Sequence, residues 1–104
     1  TGNLWQKNAL VDKIAGFFTS TASIHGGQET TLITSMITML HLGMIIVGIP
    51  YTETKLFALE GGGTPYGAST VTGGDGSRMP SENELEIAKT LGKRVATIAK
   101  KVKG

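Results

Sequence analysis

Two short, unbroken apolar runs, Ile14-Ala15-Gly16-Phe17-Phe18 and Met44-Ile45-Ile46-Val47-Gly48-Ile49, bracket a segment in which Leu32, Ile33, Met36, Ile37 and Leu40 recur at helical spacing. Runs of this length, without polar alternation, suit strands covered on both faces, and the period between them suits an amphipathic helix. Strand, helix and strand in that order predict a right-handed crossover and a parallel sheet. The helix is expected to begin near Gly27 and run to Leu40 or His41, where Gly43 can adopt the left-handed conformation that closes a helix at little steric cost. Pro50 lacks the N–H a central ladder needs, so the second strand should end there.

Residues 51–63 then form a detour, with a short helical turn expected over 55–59 and three glycines after it. Pro65-Tyr66-Gly67 reads as a turn, Ala68-Ser69-Thr70-Val71 as a brief strand, and Gly73-Gly74-Asp75-Gly76-Ser77 as a second turn, with Arg78 able to pair its charge internally. Ser81 with Glu84 three residues on makes a capping box after Pro80 and predicts a helix over 81–102. Leu85, Leu91, Val95, Ile98 and Val102 give that helix an apolar stripe that wants a sheet. Upstream, residues 1–12 read as the end of a helix leading into the first strand. The class is α/β, with layered helices on a parallel sheet.

With 104 residues the chain suits one small domain, and 39% hydrophobic against 17% charged residues sets it apart from disordered segments. The net charge of +2 comes largely from Lys89, Lys93, Arg94, Lys100, Lys101 and Lys103. Cations are favoured at a helix C-terminus, and no aromatic residues interleave with them to stack on bases, so nucleic-acid binding is not expected. The absence of cysteine excludes disulfides and thiolate metal sites and fits a reducing cytoplasm. Residues 32–50 are the most apolar stretch, but Thr34, Ser35, Thr38, His41 and Gly43 interrupt them, and no membrane span is expected. The chain opens on Thr1-Gly2-Asn3-Leu4-Trp5 without methionine, which reads as the interior of a longer polypeptide.

The richest chemistry lies between the first strand and the first helix. Thr19, Ser20, Thr21 and Ser23 supply four hydroxyls, followed by His25, Gly26 and Gly27. A glycine-bearing polar loop at the carboxyl end of a parallel strand is where open α/β sheets bind ligands. The spacing matches neither common phosphate motif, so the loop is read as a row of hydroxyls and N–H groups open to an anion or an electron-rich heterocycle, or as a plain connection. His25 and His41 lack the further ligands a metal would need. Trp5, Tyr51 and Tyr66 are suited either to packing or to stacking on a planar ligand.

The strings Thr1-Gly2-Asn3-Leu4-Trp5, Ser20-Thr21-Ala22-Ser23-Ile24-His25-Gly26-Gly27-Gln28-Glu29-Thr30, His41-Leu42-Gly43-Met44, Gly63-Thr64-Pro65-Tyr66-Gly67-Ala68 and Gly73-Gly74-Asp75-Gly76-Ser77-Arg78 resemble, in order, the C-terminal half of the WrbA-type NAD(P)H:quinone oxidoreductases. The resemblance covers essentially the whole chain. It implies the C-terminal portion of a flavodoxin-like three-layer sandwich, with FMN as cofactor, NAD(P)H as hydride donor and a quinone as acceptor. It also implies a tetramer whose active sites draw on more than one subunit, in the cytoplasm.

By the same resemblance, Ser20, Thr21, Ala22, Ser23, Ile24, His25 and Gly26 bind the flavin ring, His41 approaches the flavin as the catalytic candidate, and Trp5 lines the substrate pocket. Leu42 stands where many members carry a second histidine. Residues 51–63 match the insertion that separates the family from simple flavodoxins. The family's phosphate-binding loop precedes the matched half, so this chain alone is expected to bind FMN weakly or not at all. A flavin-binding electron carrier without quinone turnover, and a non-enzymatic fragment retaining subunit association, are the alternative readings.

Overall fold

The computed structural model describes residues 2–59 and 61–104; Thr1, which opens the first matched string, and Glu60, inside the 51–63 detour, lie outside the described residues. In chain order the elements are α1 (Gly2–Gln6), β1 (Ile14–Ala15), β2 (Phe18–Thr21), α2 (Gln28–His41), β3 (Ile45–Ile46), a 3-10 turn (Thr54–Phe57), β4 (Ala68–Val71) and α3 (Glu82–Lys103). β1 pairs parallel with β3, placing Ile14 opposite Ile45, and β2 pairs parallel with β4, placing Phe18 opposite Ala68 and Thr21 opposite Val71.

Backbone bonds join these pairs into two lines. The N–H groups of Ile45, Val47, Ala68 and Thr72 donate to the carbonyls of Lys13, Ala15, Phe17 and Thr21 at 2.8–3.1 Å. Every acceptor is odd-numbered, so β1 and β2 run as one line, and β3 and β4 as its neighbour with the detour spliced between them. Backbone groups alternate along a strand, so those of Ile14, Gly16, Phe18 and Ser20 point to the other edge. No strand among the described residues pairs with that edge.

The parallel pairing and the strand at 68–71 follow the sequence reading, but the strand lengths differ from it. The first apolar run is not one strand buried on both faces: it divides at Gly16 and Phe17, and Phe18 is 85% exposed because its edge and face are uncovered. The ladder also extends through Thr21, so Thr19, Ser20 and Thr21 are strand, and the loop starts at Ala22. In the second run only Ile45 and Ile46 form strand. The amide of Ile49 instead donates to Pro65, and a Cβ on Gly48 would collide with that same carbonyl, so the returning detour displaces the ladder there.

α2 ends where expected. Gly43 has φ +81°, and α2's last carbonyls accept from Leu42, Gly43 and Met44. α3 carries the complete capping box: Ser81 Oγ accepts from the Glu84 N–H, and the Glu84 carboxylate accepts from the Ser81 N–H. The helical turn in the detour is shorter and tighter than the expected 55–59, covering Thr54–Phe57.

The main core lies between α3 and the sheet, where Val47, Ile49, Ala68, Ile87 and Leu91 are buried, with Ile14, Leu56, Val95 and Ile98 against them. Ile87, absent from the sequence-derived stripe, is 1% exposed, and burial of such a side chain contributes about 2 kcal/mol. Leu85 and Val102, both placed in that stripe, are half exposed at the margins of the sheet. Leu32, Leu42 and Ala15 are buried outside this cluster. Helices on a parallel sheet give the layered α/β arrangement of a flavodoxin-like segment.

Candidate functional site

β2 delivers the chain to its carboxyl end at Thr21, and the loop crosses from there to α2. Thr21 Oγ1 donates to the carbonyl of Ser23 at 2.8 Å, and the Gly26 N–H returns to the same carbonyl at 3.2 Å. This tight turn needs a glycine, since a Cβ at position 26 would lie 2.6 Å from that of Thr21. Gly27 caps α2 with φ +81°, a conformation that favours glycine. Gln28 fixes the loop from behind, its amide donating to Thr21 Oγ1 at 2.8 Å and to the carbonyl of Thr70 at 3.0 Å. The sequence reading missed Gln28, whose partners lie 7 and 42 residues away.

The loop is thus held at its base and open at its tip. The N–H groups of Ala22, Ser23, Ile24 and His25 reach no acceptor among the described residues. Ile24 is 79% exposed, giving an apolar surface beside these donors. Ile24, His25, Gly27, Gln28, Glu29 and Thr30 line a hollow of about 260 Å³ at the start of α2. Donors, hydroxyls and one apolar side chain fit the polar edge and flat face of a heterocycle.

His41 and Trp5 occupy the other end. Trp5 on α1 stacks on His41 at the last turn of α2, with ring centroids 5.8 Å apart and planes 19° from parallel. Gly2, Thr38 and Leu42 join them around a smaller hollow. Leu42 is buried, so the position that resembles a second histidine is here a packing residue. α2 has 14 residues and, at 1.5 Å per residue, sets this pair about 20 Å from the loop. Within one chain the structure therefore brings Trp5 and His41 together but does not bring either to residues 20–26.

A third constellation fastens the detour. Glu84 is buried on the first turn of α3, and its carboxylate accepts from the N–H groups of Ser81 and Gly62, from Thr70 Oγ1 at 2.9 Å and from Arg78 at 3.1 Å. Burial alone would push its carboxyl up, but these donors, led by the Ser81 and Gly62 amides, together outweigh that and hold it at about 2. Arg78 also donates to the carbonyl of Val71 at 2.7 Å, so its charge is paired internally as the sequence suggested. Asp75 accepts from the Ser77 amide and hydroxyl, which makes residues 73–77 a turn. Glu53 is tied to Thr90 on α3. Among the described residues no group of three or more histidine, cysteine or acidic side chains is placed to hold a metal. No described helix is long and apolar enough to cross a membrane.

Comparison with known proteins places these features in context. The chain is 55% identical over 101 residues to the NAD(P)H dehydrogenase (quinone) of Aromatoleum aromaticum, covering 95% of this chain and 49% of that protein. It is 53% identical over 105 residues to the protein of the same name from Methanosarcina mazei, covering 99% and 50%. With that of Chromohalobacter salexigens the identity is 56% over 106 aligned positions, covering 100% and 53%. The chain therefore spans about half the length of the curated relatives it matches. No family model matches it.

Proposed function

Because the chain is homologous along its length to half of the proteins named NAD(P)H dehydrogenase (quinone), we propose that it supplies one wall of an FMN site in an enzyme that reduces quinones with NAD(P)H. The observation that carries this reading is the row of open N–H groups at the carboxyl end of β2, Ala22 to His25, with exposed Ile24 beside them. When bound, FMN would accept a hydride from NAD(P)H and pass two electrons to the quinone.

The chain's own residues do the positioning. The loop amides would hold the carbonyl edge of the flavin ring, and preorganised donors favour negative charge without rearranging. Thr21, Gly26 and Gln28 hold those donors in place. Ser20 and Ser23 would add hydroxyl donors, and exposed Ile24 would offer the ring an apolar contact. Trp5 offers a flat apolar wall for a quinone, and His41, stacked on it, presents a proton donor at the same surface. Since loop and pair lie at opposite ends of α2, a complete site takes the pair from a second subunit. The family tetramer implied by the resemblance provides that arrangement. We place the enzyme in the cytoplasm, where a cysteine-free chain is at no disadvantage.

The test is a chimera in which this chain replaces its aligned stretch in the Aromatoleum aromaticum relative. Purified chimera is expected to retain FMN and to oxidise NADH only when benzoquinone is added. FMN retained without turnover would instead support an electron carrier, and loss of FMN with folding intact would remove the flavin reading.

A further inference from the structure

The N–H groups of Ala22, Ser23, Ile24 and His25 are all open, but they are not equally fixed in direction. Every peptide bond among the described residues is trans, and a trans peptide points its carbonyl and its N–H opposite ways. A carbonyl bonded inward therefore aims the next residue's N–H outward. The Thr21 carbonyl accepts from the Thr72 N–H at 2.8 Å, so the sheet sets the N–H of Ala22. The Ser23 carbonyl accepts from Thr21 Oγ1 at 2.8 Å and from the Gly26 N–H at 3.2 Å, and these set the N–H of Ile24. Among the described residues the carbonyls of Ala22 and Ile24 accept nothing, so Ser23 and His25 have no such anchor.

The anchor of Ile24 depends on where one hydrogen goes. Thr21 Oγ1 carries a single hydrogen and could offer it to Ser23 or to Gln28. Gln28 removes the choice. The Thr70 carbonyl, which can only accept, lies 3.0 Å from one end of the Gln28 side-chain amide, so that end is the NH2 group. The same NH2 lies 2.8 Å from Thr21 Oγ1, which must accept there and turn its own hydrogen to Ser23.

We propose that Gln28 is a positioning residue that sets the hydrogen-bond polarity of the loop: through the Thr21 hydroxyl it fixes the Ser23–Ile24 peptide and aims the Ile24 N–H at the carbonyl edge of the flavin ring. It acts by the end of its amide that it presents and not by filling space. A carboxylate of the same shape accepts from Thr21, draws the hydrogen away from Ser23 and faces the Thr70 carbonyl with nothing to donate. The aim at the ring rests on the reading of residues 20–26 as a flavin wall. The polarity itself does not.

Nitrogen-15 relaxation on the full chain tests the polarity without flavin. The wild-type Ile24 amide is expected at an order parameter of about 0.85, that of rigid backbone, and below about 0.6 in Gln28→Glu and Thr21→Val. Thr21→Ser keeps the hydroxyl and should keep the wild-type value. Thr21→Val adds no charge and keeps the shape of the side chain, so it carries the test where the new carboxylate of Gln28→Glu unsettles the fold. In the Aromatoleum aromaticum chimera the FMN dissociation constant should rise about tenfold in Thr21→Val and stay within about twofold in Thr21→Ser, as the loss of one aimed donor requires. A mobile Ile24 amide in the wild type, an unmoved order parameter in Thr21→Val, or Thr21→Ser behaving as Thr21→Val overturns the proposal. FMN affinity unmoved while the loop loosens overturns the aim of Ile24 at the ring. A wild-type chimera that holds no FMN overturns the flavin reading, while the relaxation series still decides the polarity.

Discussion

Glu84 is the side chain on which most of the structure's parts converge. Its carboxylate joins the start of α3, the returning glycines of the detour, β4 and Arg78, and its carboxyl is held at about 2, below the ordinary 4.5. A carboxyl held low in the folded state stabilises the fold above its unfolded pKa and loses that contribution as pH falls through the folded value. The wild-type chain should therefore lose about 3 kcal/mol between pH 5 and pH 2 through this group, about 1.4 kcal/mol for each pKa unit. Glu84→Gln should be less stable at neutral pH and fall less steeply over the same window, the remaining slope coming from carboxyls such as Glu53 and Asp75 that are also held low; urea melts at several pH values measure both, and parallel curves would contradict the assignment. The capping role of Glu84 was legible, because Ser81 and Glu84 sit three apart in the sequence. Its burial was not, since two of its donors, Gly62 and Thr70, lie 22 and 14 residues away and nothing local announces them.

At the scale of elements, helices were legible and strands only in part. α2 and α3 carry their own boundaries: Gly43 at one C-terminus and a capping box at the other N-terminus. Strand length depends on what lies alongside, and the detour's return past Gly48 shortens β3 in a way no local signal encodes. Ser81→Ala should cost about 1 kcal/mol, read as a lower urea midpoint at unchanged slope. Gln28→Ala should cost a similar 1–2 kcal/mol or so, because it removes two part-buried bonds that fix the loop, and should quicken amide exchange over residues 22–27. The candidate residues could be named from the sequence, which grouped His41 with residues 20–26, but not the separation of His41 from that loop or its pairing with Trp5 at the other end of α2. Trp5 is the only tryptophan, so its emission reports the contact with His41. His41→Ala should shift that emission to the red with helix content retained, and an unchanged spectrum would mean that the stack does not form in solution. In the chimera the same substitution should slow quinone turnover.

The whole molecule is extended for its length: its radius of gyration is 14.8 Å, where a self-contained domain of about 100 residues has about 13 Å. Among the described residues one edge of β1 and β2 is unpaired, and an apolar trough of about 530 Å³ is lined by Ile14, Phe18, Leu91 and Val95 among others. An open parallel edge beside uncovered apolar side chains is where further strands of a larger sheet would join, and the relatives are about twice as long. If the loop is a flavin wall, it holds a ring edge alone, so titrating the isolated chain with FMN should give no tight fluorescence quenching at micromolar protein. Tight quenching would show that these residues suffice. The central claim, that residues 20–27 form the flavin-facing wall, is tested most directly by hydrogen exchange on the Aromatoleum aromaticum chimera with and without FMN. The account predicts that flavin slows exchange most strongly at the amides of Ala22 to His25. Equal exchange of that loop in the two states, with protection appearing elsewhere, would contradict it.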